Sequence, residues 1–247
     1  MHPGYYQDYC LLTLAQSKNI LSIIPARGGS KGIPGKNIKL LNGMPLLEYT
    51  ARSSLESSYI TRSVLTTDSH IIADLGRSLG LEVPFIRPSS LALDDTPSLP
   101  VFQHLLVHLY KSEAYLPDLV VILQPTSPLR TSAHIDSAIE LYCSSSASSL
   151  VSVRKVPHAM TPSSLMSIRD DGFIYHESTT LTLSRQHKPT FYARNGAAIY
   201  ISTYHSIVHH NNLLDEPILP FIMSSSDSVD IDDPDDWTLA ERLLASR

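Results

Sequence analysis

ILSIIPARGGSKGIPGKN, residues 20–37, runs from an unbroken apolar stretch into a glycine-rich loop carrying several cations. Its first six residues are dominated by Ile and Leu and end at a turn, the pattern of a short strand buried on both faces. Such strands belong to parallel sheets covered on both sides. Downstream the rhythm repeats. Pro45, at the favoured first position, opens a helix over 46–55. A strand over 63–67 ends at Asp68, and a helix carries Ile71, Ile72, Leu75 and Leu79 on one face. A strand over 83–86, a helix over 101–110, the apolar strand 119–123, a helix over 132–143 and a strand over 150–153 follow. Alternating βα units predict an α/β fold, a mostly parallel sheet with helices on both faces. Between 157 and 194 the rhythm loosens, and Asp170-Asp171-Gly172 reads as a hairpin turn, so this stretch is expected to form an inserted lobe. The sheet resumes at 198–201. A last helix begins at Pro234 with Asp233 as its N-cap.

The chain has 247 residues, enough for one large domain, expected over 20–247 with residues 1–19 as an extension. Hydrophobic residues make up 43%, charged residues 17%, and the net charge is −5, which fits a soluble globular protein and gives no nucleic-acid footprint. An acidic chain that handles anions must concentrate positive charge locally or recruit a metal. Cys10 and Cys143 have no metal-ligand spacing, so a reducing, cytoplasmic compartment is expected. The first 19 residues lack the basic start and apolar centre of a signal peptide, and no apolar run reaches the roughly 20 residues of a membrane span.

In the glycine-rich loop the missing side chains let backbone approach a phosphate, while Arg27 and Lys31 can neutralise it. The loop looks like a Walker A motif but departs from it: Ser30 replaces the first glycine, and Asn37 stands where Ser or Thr holds magnesium. A surface turn with solvated cations is the competing reading, and the grouping of Arg, Ser, Lys and Asn after a buried strand favours the phosphate loop. Gln124-Pro125-Thr126-Ser127-Pro128-Leu129-Arg130 follows the most apolar strand at its carboxyl end, where open α/β sheets bind ligands. Gln124 is a candidate ligand contact there and Arg130 a brace for the loop. Asp68 reads as a cap for the next helix, His209-His210 as a solvated helix end and Cys143 as packing. Tyr5, Tyr6 and Tyr9 receive no function.

PARGGSKGIPGKN is similar to the N-terminal signature of the acylneuraminate cytidylyltransferases, or CMP-sialic acid synthetases. Further segments resemble that family in the same order: Arg87-Pro88 through Asp94 to Ser98, the QPTSPLR stretch 124–130, Arg185-Gln186 with Asn195-Gly196 and Tyr200, and the acidic run 227–232. The resemblance implies a Rossmann-like sheet of the nucleotide-diphospho-sugar transferase type with a small dimerisation arm, here 157–194, and a homodimer. It implies that Arg27 and Lys31 hold the phosphates of CTP, that Ser30 and Asn37 line the same pocket, and that Arg87 and Ser98 contact the cytidine. Gln124, Arg185, Gln186, Asn195 and Tyr200 would face an acidic nine-carbon sugar. Where the family often reads R-x-N-G-A-I-Y, this chain has Ala193-Arg194-Asn195-Gly196-Ala197-Ala198-Ile199-Tyr200, so Arg194 is displaced by one residue.

Asp230 and Asp232 are spaced i, i+2 on what reads as a strand over 229–232, so both carboxylates share one face while Ile231 points into the core. Such a pair suits Mg2+ arriving with CTP, with Asp232 the catalytic member. Asp233, Asp235 and Asp236 are explained by the helix N-terminus that follows. The implied reaction is transfer of CMP from CTP to the anomeric hydroxyl of a sialic-acid-like acid, with pyrophosphate leaving. Its rivals are the same transfer to legionaminic, pseudaminic or octulosonic acid or a phosphonate, and a non-catalytic nucleotide-binding protein on the same fold.

Overall fold

The computed structural model describes residues 18–177 and 189–247. Strand β1 (Ile20–Pro25) lies centrally, parallel to β4 (Arg62–Thr66) on one side and to β5 (Leu119–Ile122) on the other. Its unbroken apolar run is explained by layers on both faces. Ile20 and Ile24 pack with Leu47, Ala51, Ile72, Ile135 and Ile139, from helices α1 (Leu46–Leu55), α2 (His70–Ser78) and α4 (Ser132–Cys143). Leu21 and Ile23 face the opposite layer, where α3 (Ser98–Glu113) supplies Val101, Phe102, Leu105 and Leu109. Each fully buried Ile or Leu contributes about 1.5–3 kcal/mol.

The sheet order is β11-β6-β10-β5-β1-β4, with β6 (Ser149–Lys155) parallel to β11 (Ile218–Met223). Strands β9 (Tyr192–Arg194) and β10 (Tyr200–Ser202) run antiparallel to β6, and β10 also to β5, while β4, β1, β5, β6 and β11 share one direction, so the expected mostly parallel α/β sheet is present. Their registers differ: Val153 pairs with Arg194 but Val151 with Tyr200, so residues 195–199 bulge out of one interrupted strand. Gly196, with φ +68°, makes the turn of that bulge.

A third cluster joins Ile33, Leu41 and Leu129 to Val229, Ile231 and Trp237, and so docks helix α6 (Pro234–Ala245) beside the glycine-rich loop. Asp233 caps α6 as expected, its carboxylate accepting from the N–H groups of Asp235 and Asp236. The lobe after β6 contains the expected hairpin, β7 (Met166–Ile168) against β8 (Ile174–His176), turning at Gly172. Helix α5 (Tyr204–Val208) follows β10, and His209 stands at its C-terminal cap. Strands β2 (Leu40–Leu41) and β3 (Met44–Pro45) form a small ribbon before α1.

Four local readings are corrected. Pro45 is the N-cap of α1, not its first residue. Ile71 is 69% exposed, and the inner face of α2 is made by Ile72, Ala73 and Gly76. No strand forms over 83–86, because after the single bridge between Val64 and Glu82 the prolines 84 and 88 remove ladder donors. Residues 229–232 keep their alternating burial without belonging to a sheet, tied by one backbone bond from Ile231 N–H to the Thr126 carbonyl at 2.8 Å. Arg185 and Gln186, like Cys10 and the tyrosines of the extension, lie outside the described residues. Among the described residues no helix is long and apolar enough to cross a membrane.

Candidate active site

The carboxyl ends of β1 and β5 open onto a cleft of about 280 Å³, the edge where parallel sheets expose their loops. Arg27, Ser30 and Asn37 of the glycine-rich loop line it, with Arg87, Ser98, Gln124 and Asp232. Asn37 is buried, and its amide donates to the Arg27 carbonyl at 3.0 Å, which holds the loop's curve. Arg27 Nη1 lies 2.9 Å from an Asp94 carboxylate oxygen and Lys31 Nζ 3.0 Å from the other. Those two cations hold the Asp94 carboxyl below its usual range, Lys31 more than Arg27. Lys31 stands on the rim rather than in the wall of the cleft.

Asp94 thus occupies the two cations assigned to phosphates. Replacing it by Asn frees both, so the CTP that the sequence resemblance implies should bind about two- to fivefold more tightly, the scale of exposed ion pairs. Equilibrium titration with CTP reads this directly, and weaker binding would show that Asp94 orients the cations instead of competing for them.

Asp68 does not cap α2. That role belongs to Ser69, whose hydroxyl accepts from Ile72 N–H, while Asp68 accepts from Gly28 N–H at 3.0 Å and sits 3.6 Å from Arg87. Burial lowers the Arg87 pKa and Asp68 opposes the shift. The acidic partner therefore anchors both the glycine-rich loop and the buried arginine.

A second cavity of about 510 Å³ adjoins the first and shares Ser98, Phe102 and Gln124 with it. Tyr200, Arg194, Gly196 and Leu213 also line it. Tyr200 is buried and donates its hydroxyl to the Gly196 carbonyl at 2.9 Å; burial raises its pKa and Arg194 opposes the rise. Arg194, displaced in the sequence pattern, is the cationic side chain lining this cavity among the described residues. Its signal was present as an arginine just before Asn195-Gly196, but only the bulge shows where it reaches. Asn195 acts as a brace beside these cavities: it is 2% exposed, accepts from Ser152 Oγ and donates to Ser228 Oγ and Met223 Sδ, while bordering the cavity that Asp230 and Asp232 also line.

Arg130 is the brace expected of it. Buried at 2% exposure, it donates to the Gln124 and Ala198 carbonyls and to the Thr50 and Ser53 hydroxyls. It holds the QPTSPLR loop against the bulge and α1. Burial pushes its pKa down to about 9, which leaves it charged at neutral pH.

Asp230 and Asp232 border a third cavity of about 310 Å³, and Asp232 also faces the first cleft. Asp230 Oδ1 is buried without a hydrogen-bond partner; desolvation raises its pKa and a Thr126 hydrogen bond opposes the rise. Asp232 is exposed, 3.7 Å from Lys36 Nζ, which also donates to the Ile231 carbonyl at 2.6 Å. Lys36 carried no separate role in the sequence reading, and its half-buried place between loop and acidic segment follows only from the packing of α6.

Comparison with known proteins places the chain among cytidylyltransferases. The family model described as Cytidylyltransferase matches residues 21–215. CMP-N,N'-diacetyllegionaminic acid synthase of Legionella pneumophila is 37% identical over 227 residues, 91% of this chain and 96% of that protein. N-acylneuraminate cytidylyltransferase of Escherichia coli O18:K1:H7 is 33% identical over 90% of this chain, which spans 51% of that longer protein. A solved structure of CMP:2-keto-3-deoxy-manno-octonic acid synthetase complexed with CTP superposes with a TM-score of 0.69 at 14% identity, covering 92% of this chain and 99% of its own. That likeness bears out the nucleotide-diphospho-sugar transferase type of fold.

Proposed function

Because the chain belongs to the cytidylyltransferase family, and is therefore a nucleotidyltransferase, we propose that it transfers CMP from CTP to the anomeric hydroxyl of a sialic-acid-like nonulosonic acid, releasing pyrophosphate. The observation that carries this reading is the pair of adjoining cavities sharing Ser98, Phe102 and Gln124. One has cations and a glycine-rich backbone suited to a triphosphate. The other has, among the described residues, Arg194 as its cation and the Tyr200 hydroxyl beside it, suited to a carboxylated sugar.

Transfer needs the acceptor oxygen in line with departing pyrophosphate, and most of the rate comes from positioning and charge neutralisation. Arg27 and Lys31 steady the leaving phosphates, Arg87 and Ser98 hold the cytidine, and Gln124, Tyr200 and Arg194 orient the acid. Asp230 and Asp232 suit Mg2+: both are hard oxygen donors, and the buried, partnerless Asp230 oxygen is a ligand in search of a cation. Asp236 borders the same cavity, but among the described residues no three His, Cys, Asp or Glu side chains are arranged to hold a metal, so phosphate oxygens and water would complete the shell. When bound, Mg2+ would polarise the α-phosphate and acidify the acceptor hydroxyl.

A legionaminic-type acceptor is the second reading, favoured by the Legionella relative and by the apolar wall of Phe102, Ile122, Ala197 and Leu213. The test is CTP, Mg2+ and a panel of nonulosonic acids, with products identified by mass spectrometry. A CMP adduct of a sialic-acid-like or legionaminic acid is expected. Adducts formed equally well from UTP or GTP would remove the cytidine assignment, and none with any acid would leave only a nucleotide-binding protein.

The arm over 157–194 supports a homodimer in this reading, because Ile168, Phe173 and Ile174 present apolar side chains at 75%, 68% and 58% exposure. Light scattering at working concentration is expected to give twice the chain mass; a fully active monomer would refute the arm's role. CTP is an intracellular nucleotide, which supports a cytoplasmic location.

A further inference from the structure

The acidic segment cannot choose its own position. Val229 and Ile231 are locked into the cluster with Trp237, Ile231 N–H is bonded to Thr126, and the Ile231 carbonyl is held by Lys36. What remains to be set is how far the two aspartates stand from the loops beside them. At both points the neighbour is a glycine. A methyl group on Gly32 would overlap the Asp232 carbonyl oxygen, and one on Gly196 would lie 2.5 Å from Asp230 Cγ and 2.7 Å from its partnerless Oδ1. Carbon and oxygen atoms do not approach so closely without displacement. The two glycines come from different loops, the phosphate loop and the β9–β10 bulge, and they abut the segment at the two residues that carry carboxylates.

We infer that Gly32 and Gly196 are positioning residues that set where Asp230 and Asp232 stand, making the glycine-rich loop and the bulge two walls of one cradle for the acidic pair. This rests on the reading of that pair as metal carboxylates. A methyl group at either wall pushes its aspartate outward, because the flanking Val229 and Ile231 cannot follow without leaving the core. Gly29 shows the contrast: a methyl group there meets nothing within 4 Å.

The test is Mn2+ binding in the presence of CTP, followed by electron paramagnetic resonance, for wild type, Gly32→Ala, Gly196→Ala and Asp232→Asn. Both alanine variants are expected to bind Mn2+ about tenfold more weakly, the effect of disturbing groups that orient metal ligands. The metal concentration for half-maximal turnover should rise in step; CTP is kept saturating so that any change in nucleotide affinity stays out of the comparison, and far-ultraviolet circular dichroism checks that each variant is folded. Gly32→Ala has no left-handed backbone to strain and decides the matter if Gly196→Ala folds poorly. A folded Gly32→Ala with wild-type Mn2+ affinity overturns the inference, as does loss of folding in both variants, which would make the glycines structural. Wild-type Mn2+ binding by Asp232→Asn would instead overturn the metal reading itself.

Discussion

Asp232→Asn should lower metal-dependent turnover by about two to three orders of magnitude while leaving the melting temperature nearly unchanged. The substitution keeps the shape of the side chain and removes one charge. Asp232 is exposed, and its carboxylate's ion pair with Lys36 is long at 3.7 Å, so little folding energy is tied to it. Its backbone N–H bonds Asp236, an interaction the variant retains. Activity and stability therefore separate at this residue, which distinguishes a metal carboxylate from a helix-capping acid. Steady-state kinetics over a magnesium series, alongside a thermal scan, measures both. Turnover with an unaltered magnesium requirement would show that the metal is held by other groups.

The largest loss of stability is expected at Arg130. Alanine there leaves the Ala198 carbonyl without its donor, removes the cation that Thr50 Oγ1 and Ser53 Oγ accept from, and leaves the Gln124 carbonyl only long bonds at 3.4 Å from Ser127 N–H and the Thr50 hydroxyl. Each buried polar group left unpaired costs about 1–3 kcal/mol, so a total near 3–5 kcal/mol follows. For a domain of this size that lowers the melting temperature on the order of 10 °C. Arg130→Lys should recover only part of it, because an ammonium cannot span acceptors on three separate segments as a guanidinium fork does. Differential scanning calorimetry checks the order wild type, Lys, Ala. A melting temperature within a degree or two of wild type for Arg130→Ala would mean that water replaces the guanidinium.

Such consequences show which parts of the molecule could be read from the chain. The Ile20–Pro25 strand, the Ser132–Cys143 helix and the Asp233-Pro234 helix start were legible because each is specified by neighbours within a few residues. Apolar runs, capping oxygens and proline act locally, and so do the glycines and cations that mark a phosphate loop. The 83–86 stretch misled because apolar residues there resemble a strand, while pairing depends on donors that prolines lack. Ile71 misled because periodicity does not say where on a helix the sheet will lie.

The site divides the same way. Local sequence determined that Arg27, Ser30, Asn37 and Gln124 stand at strand ends, and that Asp230 and Asp232 alternate with core residues. Tertiary structure decided what each of them meets. Asp68 turns from its helix to Gly28 and Arg87, Asn195 spends its amide on Ser152 and Ser228, and Arg194 reaches the larger cavity because residues 195–199 leave the ladder. These partners are separated by tens to nearly 200 residues, as Lys36 and Ile231 are. The reason is physical: caps and turns are short-range and can be read along the chain. Pairing of buried charges and close approach at a glycine are settled only when distant segments compete for the same space.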